Sequence, residues 1–335
     1  MKVATIGAPA TLDTLKVIDR AEPSLRPGTV KVRWHALSLN FHDYAVVAGL
    51  MPAAQGRVPM SDGAGEIVAV GAGVTAWKVG DAVMSTFFPD WDCAEPTLRK
   101  TASIFGDSID GCAAEVSVVD ASTLTAIPPG WTFAEAATLP CAGVTAWRAL
   151  FDEAQVQAGQ SVLVQGSGGV SVFALQFAKA AGATVYATSS SEEKAERLRA
   201  LGADHLVNYR SDSAWGETVS GLSKGGVDIV LDVGGPATLA QSLDAARIGG
   251  HIVAIGLLGG MEVTLPVPKL LFKQQRIRPI AVGSHAQQRS LVDWIAKTPI
   301  KPIIDRRFPF ADMADALRYQ VSGQHLGKIV VDVTA

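Results

Sequence analysis

Residues 161–180 read SVLVQGSGGVSVFALQFAKA. The stretch opens as an apolar, β-branched run. It turns through Gly166-Ser167-Gly168-Gly169-Val170-Ser171 and continues with apolar residues at helical spacing. Glycine lets a chain turn tightly and approach a pyrophosphate, and the unpaired N–H groups at a helix start favour the negative charge. Gly166, Ser167, Gly168, Gly169 and Val170 are therefore candidate cofactor-binding residues. The third fingerprint position is Ser171, small but neither Gly nor Ala. A simple strand–helix connector has the same local pattern. The dinucleotide reading gains from its surroundings: a second strand, ATVYATS (183–189), a helix over 192–201 stopped by Gly202, and the apolar runs DHLVNY (204–209), DIVLDV (228–233) and HIVAIG (251–256). This alternation predicts βαβ units around a parallel sheet, an α/β fold.

The end of the second strand bears on the cofactor. A carboxylate there accepts from a ribose 2′-hydroxyl and repels a 2′-phosphate. This chain instead has Thr188, Ser189, Ser190 and Ser191, with Lys194 following. Hydroxyls and a cation suit a 2′-phosphate, so NADP(H) is the expected cofactor. The serines also suit the cap of the next helix, and Glu192 and Glu193 lie close by.

Upstream the texture is β-rich. TVKVRWHALSL (29–39), GEIVAVG (65–71) and VGDAV (79–83) are short and punctuated by Gly and Pro. A long irregular segment, 87–111, separates them from the Ile127-Pro128-Pro129-Gly130 break, after which 132–139 and 144–151 read as helical. A helix over 311–321 and a last strand, KIVVDV (328–333), form a tail too short to be a domain, which is predicted to pack back on the first region.

Composition excludes several classes. The 335 residues suggest about two domains. A hydrophobic content of 48% against 18% charged rules out chain-wide disorder. With 29 Lys+Arg against 32 Asp+Glu and no block of like charge, there is no nucleic-acid footprint. Three cysteines, Cys93, Cys112 and Cys141, rule out a disulfide scaffold and any paired-Cys zinc pattern. The first residues lack a signal-peptide core, and the uncharged stretch 154–178 is broken by Gln, Ser and Gly, so no membrane association is expected and a cytoplasmic location is.

These residues, together with SLNFHDYAVVAG (38–49), VPMSDGAGEIVAVGAGV (58–74), LPCAGVTAW (139–147), LGADHLVNY (201–209) and GKIVVDV (327–333), make the chain resemble the medium-chain dehydrogenase/reductase superfamily. The likeness is to its zinc-independent, quinone oxidoreductase-like branch and runs over nearly the whole length. It implies a GroES-like β-rich catalytic domain (1–125), a Rossmann NADP-binding domain (126–270), a return segment completing the catalytic domain (271–335), and a cleft between the two domains. It also implies a homodimer formed through the cofactor domains, in part near 261–265. Zinc-dependent relatives place a Cys where Asn40 stands and a Gly-His-Glu where Met60-Ser61-Asp62 stands, and only Cys93 lies in the 87–111 lobe. No metal is expected, because catalytic zinc takes its ligands from thiolate, imidazole and carboxylate.

By the same resemblance Asn40, His42, Tyr44 and Thr145 are the candidate catalytic residues. Asn40 is a candidate to orient the nicotinamide or a substrate oxygen, and His42 and Tyr44 to donate a proton. His42 could equally bond to backbone or to the cofactor, and Tyr44 could fill the core. Tyrosines that some quinone reductases carry further on are replaced here by Ala45 and Met51. Ser189, Ser190, Lys194 and Tyr209 match positions near a 2′-phosphate. Gly256, Leu257, Val282 and Ser284 match positions where backbone meets ribose and nicotinamide, and Lys328 resembles a late cofactor-side lysine. Without a Lewis acid, an acceptor must carry its own activation. The expected function is NADPH-dependent hydride transfer to a quinone or an α,β-unsaturated carbonyl. The alternatives are a zinc-lacking NADP-dependent alcohol or aldehyde dehydrogenase, and a non-catalytic, crystallin-like NADPH-binding protein.

Overall fold

The computed structural model describes residues 1–333. The chain forms two compact units, Met1–Val144 with the segment from Val282 onward, and Thr145–Ala281. The second unit is thus inserted in the first.

The inserted unit holds a six-stranded sheet, and every adjacent pair runs parallel. Its strands are Ser161–Gln165, Thr184–Ser189, His205–Asn208, Val227–Asp232, Ala246–Ala254 and Arg276–Pro279. Numbered in chain order within the unit, they lie 3-2-1-4-5-6. That is the doubly wound order, in which the strand order reverses beside the first strand and opens a crevice past its carboxyl end. The apolar runs are continuous because helices cover both faces, as a buried parallel sheet requires. Val162, Leu163, Val164, Val230 and Leu231 are all buried.

The unit begins at Thr145 and the sheet reaches Pro279, whereas the sequence reading places these boundaries at 126 and 271. Parallel pairing of Arg276–Pro279 with Ala246–Ala254 keeps the chain in the sheet. Residues 133–153 are less regular than two predicted helices. Short α-turns Phe133–Ala136 and Val144–Trp147 alternate with the wider helical turns Leu139–Gly143 and Arg148–Glu153. Residues 261–265 form no strand.

The first unit is built on a seven-stranded sheet. Its central strand, Thr29–Ser38, pairs antiparallel with Asp62–Val70, Val116–Asp120 and Lys328–Asp332. The last strand therefore returns to the first region, as the tail's shortness predicts. Trp34 is wholly buried, and its indole N–H donates to Ser117 Oγ at 3.0 Å, so its one polar atom is satisfied within the core. The helix Phe41–Val47 starts directly after this strand, capped reciprocally by Asn40 and Asp43. Core packing thus places Asn40 to Asp43 beside the strand Lys328–Asp332 and the start of Asp62–Val70.

Candidate functional site

In the second unit, Gly166 follows the first strand with φ +71, a conformation that side chains rarely adopt. Its N–H donates to Thr188 O at 3.0 Å and to Thr188 Oγ1 at 3.2 Å, tying the turn to the second strand. Gly168, which precedes the helix Gly169–Ala180, has φ −74, open to any residue. A Cβ at Gly166 or Gly168 would meet no atom within 4 Å. Packing therefore does not require glycine at 168; the space over the turn is open, as a pyrophosphate lying on a helix N-terminus needs. Ser171 Oγ donates to Gln165 O at 2.7 Å, pinning the first helical turn onto the strand end. This explains a hydroxyl at the third fingerprint position.

The second strand ends without a carboxylate. Ser189 is buried and donates to Ser191 O at 2.9 Å; Ser191 caps the helix Glu192–Ala200 by accepting from Lys194 N at 3.3 Å. The capping role of the serines is thus real, and it turns Ser189 inward. Ser190 is half-buried and the Tyr209 side chain is exposed, its N–H donating to Ser189 O at 3.1 Å. Gly256 is required by packing, since a Cβ there would fall 1.7 Å from Val233 O. Leu257 is exposed, and Thr145 is buried.

In the first unit, Asn40, Ser61, Asp62, Asp43 and Lys328 form one buried polar cluster. Lys328 Nζ donates to Leu39 O and to Asn40 Oδ1, both at 2.6 Å. Asn40 Nδ2 donates to Ser61 Oγ at 3.2 Å, and Ser61 Oγ donates to Asp62 Oδ1 at 3.1 Å. Asp43 accepts from the backbone N–H groups of Asn40 (2.9 Å) and Ser61 (2.8 Å), and Asp62 Oδ2 accepts from Cys141 N at 3.1 Å. Burial pushes the Asp62 carboxyl up to about 7, against the pull of Lys328. Burial also raises the thiols of Cys112 and Cys141, so both are held protonated. The Asn40 amide is engaged within the protein at both ends, a role that its position in the sequence does not disclose. Lys328, read from the sequence as a cofactor-side lysine, has its ammonium in this cluster.

His42 lies one residue into the helix Phe41–Val47, with Nε2 3.2 Å from Asp107 Oδ2 and its ring edge-on to Phe87 at 5.2 Å between centroids. Asp107 comes from the irregular segment. That segment is held close by a tight backbone crossing, because a Cβ at Gly111 would fall 2.2 Å from Met60 O. Met60 itself sits at φ +77, a strained conformation directly before Ser61. Tyr44 is half-buried against the core. Phe87, Phe88 and Trp91 are buried and anchor their loop, and His285 Nε2 donates to Phe88 O (2.8 Å) in that anchoring. Val282 has φ +48, costly for a β-branched residue, and Ser284 caps the helix His285–Ile295 through Gln287. Sequence reasoning did not reach Asp107, which sits in a segment with no periodicity. Ser61 and Asp62 were visible only as replacements.

Residues 26–129 match the family described as "Alcohol dehydrogenase GroES-like domain", and residues 169–297 the family described as "Zinc-binding dehydrogenase". A zinc-type alcohol dehydrogenase-like protein of Schizosaccharomyces pombe is 41% identical over 96% of this chain and 96% of its own length. An alcohol dehydrogenase-like crystal structure from Sinorhizobium meliloti 1021 superposes with a TM-score of 0.93 at 39% identity, covering 99% of this chain and 98% of its own. An NAD-dependent alcohol dehydrogenase superposes with a TM-score of 0.92 at 31% identity, covering the whole of both chains. A crotonyl-CoA carboxylase/reductase gives 0.87 at 26%, covering 99% of this chain and 88% of its own.

These likenesses imply a nicotinamide cofactor, and the open turn at Gly166 and Gly168 fits one. They also raise zinc. Among the described residues no three His, Cys, Asp or Glu side chains gather where they could hold a metal ion. Asp62 and Cys141 stand beside an amide, a hydroxyl and a lysine ammonium, a donor set that does not fit catalytic zinc. The glycine turn, the 3-2-1-4-5-6 sheet, the returning β-rich unit and the full-length relatives converge: the chain belongs to the medium-chain dehydrogenase/reductase family and is an alcohol dehydrogenase-like oxidoreductase.

Proposed function

We propose that the protein carries out zinc-free, NADPH-dependent hydride transfer to a quinone or an α,β-unsaturated carbonyl. The observation that carries this reading is the Asn40–Ser61–Asp62–Lys328 cluster. Its donor set does not suit an electrophilic metal that would polarise a simple ketone, so the acceptor must spread the developing charge through its own conjugation. The crotonyl-CoA carboxylase/reductase neighbour is named for a conjugated thioester, which supports such an acceptor. When bound, the nicotinamide supplies the hydride.

Gly166 to Val170 would hold its pyrophosphate. Ser190, Lys194 and Tyr209 would face the 2′-phosphate, since the strand end offers no carboxylate to oppose it. His42, steadied by Asp107, is the proton donor of this reading, with Tyr44 and Thr145 as the further polar groups. A homodimer fits the second unit. Leu258, Met261, Val267, Leu271 and Phe272 are exposed apolar residues just before the edge strand Arg276–Pro279, and a second copy would cover them and pair that edge.

The second reading is a zinc-lacking, NADP-dependent alcohol or aldehyde dehydrogenase, which the neighbour named as an alcohol dehydrogenase supports as to substrate class. Purified protein with NADPH or NADH and a panel of one quinone, one enone and one simple aldehyde separates the two. Turnover of the quinone or enone with NADPH is expected. Turnover of the aldehyde alone would overturn the proposal.

A further inference from the structure

We infer that Asp232 is a positioning residue for the nicotinamide half of the cofactor: its carboxyl group fixes two crossing loops, 233–237 and 255–259, and ties them to the end of the first strand of the parallel sheet. The inference rests on the reading of Gly256 and Leu257 as cofactor-side residues and adds to it the group that sets their backbone. The loops leave the neighbouring strands Val227–Asp232 and Ala246–Ala254 at their carboxyl ends. Gly235 has φ +67, and a Cβ there would fall 2.3 Å from Gly256 O, so the two backbones meet in direct contact. Ile255 N donates to Asp232 O and Gly259 N to Gly234 O, both at 2.8 Å. The path of 255–259 is therefore set by the path of 233–235.

Asp232 sets that path in turn. It is wholly buried, and its oxygens take four neutral donors. Oδ1 accepts from Gly235 N and from Thr238 Oγ1, both at 2.7 Å. Oδ2 accepts from Ser242 Oγ at 2.5 Å and from Gln165 Nε2 at 3.5 Å, and Gln165 Nε2 also donates to Ser242 Oγ at 2.6 Å. One oxygen thus faces the loop, and the other faces the first strand and the helix Leu239–Ala245. A buried acceptor with donors on both sides specifies one arrangement, because each donor left unpaired costs its desolvation. Gln165 and Asp232 end the adjacent strands between which the sheet order reverses, the place where doubly wound folds bind their ligands. The glycine turn does not depend on this carboxyl group: Thr188 holds Gly166 N, and Ser171 Oγ holds Gln165 O. Loss of Asp232 should therefore disturb the nicotinamide half of the site and spare the adenine half.

The test uses the full chain with two ligands, NADPH and adenosine 2′,5′-bisphosphate, which carries the 2′-phosphate but neither the second ribose nor the nicotinamide. Dissociation constants are measured by calorimetry in wild type, Asp232→Leu and Asp232→Asn. Asp232→Leu leaves Gly235 N–H without its acceptor and is expected to weaken NADPH at least ~10-fold and the bisphosphate less than ~2-fold. Asp232→Asn, whose amide oxygen still accepts from Gly235 N–H, is expected to recover most of that loss. Equal losses for both ligands in Asp232→Leu, or no loss for NADPH, would overturn the inference while leaving the cofactor site in place. Failure of wild type to bind either ligand would overturn the cofactor reading and the inference with it.

Should Asp232→Leu not fold, Thr238→Val decides, since it removes a single bond to Oδ1. NADPH is then expected to weaken at least ~3-fold with the bisphosphate unchanged. NADPH binding at the wild-type level, or equal losses for both ligands, would overturn the inference. The conjugated-acceptor assay on wild type is read separately and tests only the function.

Discussion

Replacing Asp62 by Asn tests the buried cluster through its proton. Asp62 is fully buried, and burial holds its carboxyl at about 7 where an ordinary aspartate stands at 3.8. Between those values the folded protein binds a proton that the unfolded chain releases. Stability contributed by this group is therefore largest at low pH and is lost as the pH rises through about 7. One fully linked proton corresponds to ~1.4 kcal/mol per pH unit. The carboxyl is already half ionised near 7, so from pH 5 to 7 wild type loses roughly 2 kcal/mol to this residue. The asparagine amide of the variant does not titrate, yet its oxygen can still accept from Cys141 N–H. Other titrating groups are common to both proteins and cancel in the comparison. Guanidinium unfolding at pH 5, 6 and 7 gives the two slopes. Stability of wild type should fall relative to Asp62→Asn by ~1 kcal/mol for each unit. Parallel slopes, within ~0.3 kcal/mol per unit, would refute a buried, protonated Asp62.

Three further outcomes are expected. Gly168→Val, whose side chain enters open space, should cost less than ~1 kcal/mol in denaturant unfolding yet weaken NADPH at least ~10-fold by fluorescence titration; unchanged binding would remove the turn from the cofactor site. Lys194→Ala should weaken NADPH by ~1–3 kcal/mol and leave NADH nearly unchanged in calorimetry, whereas equal losses would contradict contact with a 2′-phosphate. His42→Phe should lower kcat by ~10² or more with the NADPH dissociation constant unchanged, and Asp107→Asn should do so more weakly; steady-state rates at wild-type level in both would exclude the pair from proton transfer.

The fold was legible because its signals are local and strong. The glycine turn sits between a strand and a helix at a spacing that only a βαβ unit explains, and the apolar runs of the parallel sheet need no partner to be recognised. The return of Lys328–Asp332 to the first sheet followed from the tail's length. Residues 132–139 and 144–151 read as two plain helices from their composition, while the wide turns depend on packing that no period records. The site was legible in its residue types and not in its bonds. Asn40 is legible as a candidate catalytic residue and Lys328 as a cofactor-side lysine, but their mutual bond joins residues far apart in sequence. Asp107 lies in a segment without pattern, and its contact with His42 depends on the close crossing of Gly111 and Met60. Such contacts are set by tertiary structure, so spacing along the chain cannot announce them.

The most direct measurement is the rate of NADPH oxidation by an enone with protein stripped of metal by a chelator, followed in parallel with its zinc content. Full turnover is expected at negligible zinc, with no gain when zinc is restored. Activity that vanishes on stripping and returns with one zinc per chain would contradict it.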